Sequence, residues 1–128
     1  MPAISMVSPY ATAALMVIAV KDYADAKGKS VPRARMSRST VMYLSDRRIL
    51  RVSFLAELAD ELAGLGWHLL ELRDGSFGLI RTDATDSWTK ISAKRVEDLV
   101  LGLISGDVTE HDLFERLDRP DEDEPEDE

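Results

Sequence analysis

Residues 54–81 read FLAELADELAGLGWHLLELRDGSFGLIR, and this stretch decides the fold. In its first part Leu55, Leu58, Leu62 and Leu65 recur at three- and four-residue steps, which sets them on one face of a helix. Glu57, Asp60 and Glu61 fall on the other face. Ser53 is placed to cap the start, and Gly64 and Gly66 supply the stop, so a helix is expected over 54–65. Residues 67–81 then read as a β-hairpin. Asp74-Gly75 is a favoured two-residue turn. It sets Arg73 opposite Ser76, Leu72 opposite Phe77 and Leu70 opposite Leu79, with the four apolar residues on one face.

Upstream, Ser8-Pro9 marks a helix start, because serine accepts from an early backbone N–H and proline at the first position needs no donor. That helix is expected to reach Lys27, before Gly28, with a wide apolar stripe that includes Leu15, Val17 and Ile18. Residues 28–36 read as a loop. Ser37 or Ser39 caps a short second helix ending near Leu44 or Ser45, and residues 47–52 form a turn or a short strand.

Downstream of the hairpin, residues 88–91 are expected to add a short strand. Ser92 caps a helix to about Ile104 with Val96, Leu99, Val100 and Leu103 as its stripe. Thr109 and Asp112 have capping-box spacing, Val108 can staple against Leu113, and a last short helix follows over 110–117. Residues 118–128 are acids with one arginine and two prolines, a composition that cannot bury a core. The expected organisation is one α+β, mostly helical domain over 1–117 and a disordered acidic tail over 118–128. Trp67 and Trp88 read as core residues.

The net charge of −8 over 128 residues hides an asymmetry. Lys21, Lys27, Lys29, Arg33, Arg35, Arg38, Arg47, Arg48 and Arg51 are set against Asp22, Asp25 and Asp46 only, whereas acids dominate from Val96 onward. A basic front and an acidic rear leave room for an anion-binding patch, which the acidic tail could also occupy. No lysine or arginine precedes the apolar run of residues 13–20, so neither a secretory signal nor a membrane anchor is expected, and the location expected is cytoplasmic.

Three helices followed by a hairpin resemble winged-helix DNA-binding domains over residues 8–81. The resemblance implies a reading helix at 54–65 and a wing tip at 73–76. The acids Glu57, Asp60 and Glu61 depart from that pattern, since phosphates repel them. Contact with double-stranded DNA is therefore expected through Arg33, Arg35, Arg38, Thr40, Tyr43, Arg47, Arg48 and Arg51 around the second helix, with Arg73 on the wing. The function expected is a non-catalytic DNA-binding regulator, as a homodimer joined by the first helix or by the one after Ser92. The alternative is an acidic interaction module (adaptor, inhibitor or DNA mimic) that offers Glu57, Asp60, Glu61 and the tail to a basic protein partner.

Catalysis has little material. The absence of cysteine excludes thiol chemistry and thiolate metal sites. His68 and His111 are far apart in sequence, and Asp83 with Asp86 is explained by turn formation. The glycines of 74–78 lack a phosphate-loop lysine. No catalytic residue, metal site or cofactor is expected.

Overall fold

The computed structural model of the chain describes residues 6–118. The chain divides into two compact units, Met1–Trp88 and Thr89–Glu128. The first is α+β, in the order α1 (Pro9–Lys27), β1 (Arg33–Met36), α2 (Arg38–Ser45), α3 (Val52–Gly64), β2 (Trp67–Glu71) and β3 (Phe77–Arg81). Its strands make an antiparallel sheet of order β1-β3-β2, and a single 3-10 turn, Thr82–Ser87, follows β3.

Local chemistry accounts for the ends of α1. Ser8 Oγ accepts from Ala11 N–H at 3.0 Å, Pro9 occupies the first turn, and Gly28 closes the helix in the left-handed region at φ 66°. One side of α1, Thr12, Ala13, Met16, Val17 and Val20, is buried, whereas Tyr10, Leu15, Ile18 and Tyr23 are exposed. Ser37, rather than Ser39, caps α2. The core joins the buried side of α1 to Val41, Leu50, Phe54, Leu58, Leu62, Trp67, Phe77 and Leu79.

Three sequence expectations are corrected in this unit, and one left open is decided. Residues 33–36 form a strand, because Ala34 and Met36 pack against the core while Arg33 and Arg35 point outward. Of the two readings left open after α2, turn or short strand, residues 47–50 take the turn: Asp46, at φ 55°, ends α2 and the chain turns directly toward α3. The first helical bond of α3 runs from Leu55 N–H to Arg51 O, so Arg51 is the cap residue and Ser53 lies inside the first turn. The buried face of α3 is accordingly Phe54, Leu58 and Leu62, with Leu55 and Leu65 half-buried.

The hairpin register also differs from the expected one. Leu72 N–H donates to Ser76 O at 2.7 Å and Gly75 N–H to Leu72 O at 2.9 Å, which makes a three-residue loop of Arg73, Asp74 and Gly75. Gly75 alone takes a positive φ there, 89°, where a two-residue turn demands one of Asp74 as well. The Asp74 carboxylate accepts from the Ser76 amide at 3.0 Å and from its hydroxyl at 2.6 Å, which locks the longer loop. Leu69 then faces Leu79 and Glu71 faces Phe77. The inner face takes Trp67, Leu69, Phe77 and Leu79, and Leu70 is left 45% exposed on the outer face. Burying Trp67 gains more apolar area than burying Leu70.

The second unit holds a 3-10 turn at Ala93–Val96, α4 (Glu97–Ser105) and α5 (Glu110–Leu117). Residues 88–91 form no strand, and Trp88 is 50% exposed, so it is not a core residue. Ser92 caps the 3-10 turn by accepting from Lys94 N–H, and α4 follows directly after that turn, at Glu97. The capping box of α5 is formed on both sides: Asp112 N–H donates to Thr109 Oγ1 at 3.2 Å, and Thr109 N–H to Asp112 Oδ2 at 2.9 Å. Of the acidic tail, only Asp118 lies within the described residues.

Candidate nucleic-acid interface

The amino end of α3 is open. Arg51 makes no side-chain cap, so no cap side chain satisfies the N–H groups of the first turn. An open depression of about 500 Å³ lies beside it, lined by Arg48, Ile49, Arg51, Ser53 and Glu57 among others. Uncapped N–H groups at the positive end of a helix dipole, two guanidiniums and an uncommitted hydroxyl together suit an anion. Asp46 and Glu57 also line the depression, and their carboxylates repel an anion placed beside them.

The other arginines are engaged in different ways. Arg47 also borders the depression, but its guanidinium donates to Val7 O at 2.6 Å and to Ser45 O at 3.1 Å and stacks 3.8 Å from the Phe54 ring centre. It ties the chain before α1 to the α2–α3 turn. Arg35 donates to Asp74 at 3.1 Å and to Ser76 Oγ at 3.3 Å. Arg38 donates to Glu71 and to Gly75 O, with its guanidinium 5.1 Å from the Phe77 ring centre. Arg35 and Arg38 therefore strap β1 and the start of α2 to the hairpin. These ion pairs are exposed, and such pairs contribute at most about 1 kcal/mol each.

Arg33, Arg48, Arg51 and Arg73 have no ion-pair partner among the described residues. Thr40 Oγ1 lies 2.8 Å from Ser37 Oγ inside the α2 cap, while Tyr43 is 83% exposed. On α3, Glu57 and Asp60 are exposed and Glu61 is half-buried. Arg48 and Arg51 are thus brought together at one helix end, and Arg73 stands apart on the loop of the hairpin. Sequence reasoning missed the open helix end, because Ser53 carried the signal of a cap. Among the described residues, no group of three or more His, Cys, Asp or Glu side chains could hold a metal ion, and no helix is long and apolar enough to cross a membrane.

Asp74 is the group at the hairpin tip whose acidity is shifted. The Ser76 hydroxyl and amide, followed by the Arg35 guanidinium, hold its carboxyl below the usual carboxylate range. In α5 the Thr109 amide and hydroxyl do the same to Asp112.

No protein-family model matches the chain, and neither a curated protein nor a solved structure resembles it significantly.

Proposed function

We propose that the first unit is a winged-helix-like, non-catalytic DNA-binding module of a regulatory protein. It meets phosphates at the amino end of α3 and through Arg73 of the hairpin. One observation carries this reading: Arg48, Arg51 and Ser53 line the depression beside the uncapped first turn of α3. The order of three helices leading directly into a hairpin supports it as well. Arg35, Arg38 and Arg47 leave the list of primary contacts, since intramolecular acceptors occupy them. Thr40 and Tyr43 stay secondary contacts along α2, and a homodimer through the exposed side of α1 stays compatible with this reading.

Fluorescence anisotropy with a mixed-sequence duplex across a salt series tests it. Binding is expected to weaken steeply with salt, and Arg48→Ala and Arg51→Ala each to reduce the slope of log affinity against log salt by about one. Unchanged binding in both variants removes the α3 end as the contact surface.

A second reading has its own observation, the exposed acids Glu57 and Asp60 on the outer face of α3. In that case the unit engages a basic protein in place of DNA. A fluorescent polylysine peptide is then bound by the full-length chain and released on Glu57→Gln with Asp60→Asn. The same double substitution tightens duplex binding under the first reading, so one pair of titrations separates the two.

A further inference from the structure

Strand β1 is an edge strand, paired with β3 on one side only. Arg81 N–H donates to Pro32 O, and Ala34 stands opposite Leu79. In an antiparallel ladder hydrogen-bonded pairs alternate with non-bonded ones, so Pro32, Ala34 and Met36 direct their backbone groups at β3. The N–H and C=O groups of Arg33 and Arg35 therefore point to the open side. Along that side runs a mainly apolar groove of about 340 Å³ between α1 and β1, with Ala19, Tyr23, Ala34 and Met36 in its lining together with Arg33 and Arg35. The side chains of Arg33 and Arg35 are exposed on the outer face, and Arg33 has no ion-pair partner among the described residues.

We propose that this edge accepts an extended segment of a partner protein, added as a fourth strand, in which acidic residues alternate with apolar ones. The alternation follows from the register. Incoming residues that exchange hydrogen bonds with Arg33 and Arg35 stand directly opposite them, with side chains on the same outer face, where a carboxylate complements the unpaired Arg33 guanidinium, that of Arg35 being already held by Asp74 and Ser76. The residue between them stands opposite Ala34 and points inward, over the groove beside Tyr23 and Met36. The same geometry disfavours a second copy of β1, because its only outward-directed backbone groups also belong to Arg33 and Arg35. Self-pairing would set arginine opposite arginine. The chain's own acidic end supplies no apolar residue after Leu117 and is interrupted by Pro120 and Pro125. It lacks the inward-facing element.

The test uses the full-length chain labelled for amide resonances and a synthetic peptide, Gly-Glu-Ile-Glu-Leu-Glu-Gly. Saturable shifts are expected at residues 33–36 and at Tyr23, with amide exchange of Arg33 and Arg35 slowed about fivefold or more on binding. A peptide with lysines in place of the glutamates is expected not to bind. Arg35→Pro removes an edge donor that no ladder bond uses, a position where proline is tolerated, and is expected to weaken binding about tenfold, against about threefold for Arg33→Gln. Absence of saturable shifts overturns the proposal, as does equal binding of the lysine peptide. So does binding that leaves the Arg33 and Arg35 amides unprotected, a readout taken on the unsubstituted chain. Arg48→Ala is expected to leave peptide binding unchanged, which keeps this result separate from the duplex measurement.

Discussion

Arg47 and Arg48 are adjacent and chemically identical, yet the fold gives them opposite work. Arg47 is half-buried, with two backbone carbonyls as acceptors and the Phe54 ring beneath it. Removing a charged donor from such a site costs about 2 kcal/mol. Arg47→Ala is therefore expected to shift the urea midpoint by that free energy, while Arg48→Ala leaves the midpoint unchanged and weakens duplex binding. Equal effects of the two on stability would count against the division. Asp74 gives the second test at this scale. Its carboxyl is held below the usual range by Ser76 and Arg35, so its contribution to the folded state is complete above the unfolded-state value near 4. That contribution is lost as pH falls through the lower folded value. Exchange of the Ser76 amide is expected to quicken as pH drops below about 4, relative to its intrinsic rate, and Asp74→Asn to abolish that dependence.

Elements succeed or fail by their ends and by what they touch. Gly75 takes φ 89°, so Gly75→Ala strains the loop that sets the hairpin register and is expected to cost about 1 kcal/mol or more by denaturant melting. In the second unit, a Cβ added at Gly102 of α4 collides with the Val108 side chain, whose N–H also donates to Gly102 O at 2.9 Å. Gly102→Ala is expected to lower the helical signal of a peptide spanning 89–118, and Gly106→Ala to strain the chain reversal after α4 without that collision. Local signals of this kind were legible in the sequence: Ser8-Pro9 and Gly28 around α1, Ser37 before α2, Thr109 with Asp112 before α5. Each cap is completed within a few residues. Long-range pairing was not legible. Residues 33–36 read as loop because their ladder partners lie on β3, and the register hung on whether Trp67 or Leu70 was buried. The candidate site divides the same way. Its arginines could be named from the sequence, but the commitment of Arg35 to Asp74 spans 39 positions and that of Arg47 to Val7 spans 40.

At the scale of the whole molecule, the two units differ in how they are held. Every residue of the buried core cluster, from Ala13 to Leu79, belongs to the first unit. In the second, Leu101, Ile104, Phe114 and Leu117 are exposed, and its helices contain no fully buried residue. Hydrophobic burial scales with the apolar area removed from water, so the first unit is expected to set the cooperative transition of the full chain. A chain ending at Trp88 is expected to melt within a few degrees of the full-length protein, and a large loss of midpoint would assign unit two a part in the core. Charge divides along the same line. The bases of residues 21–51 lie in the first unit, whereas the net −8 is set by acids concentrated after Val96. Net negative charge on a chain opposes its association with phosphate at low ionic strength, and salt screens such repulsion over about 8 Å at physiological ionic strength. The shortened chain is therefore expected to bind a duplex several-fold more tightly than the full-length chain at low salt, with the two curves converging as salt rises. Curves that stay parallel would mean that the second unit acts on duplex binding by contact instead of by its field.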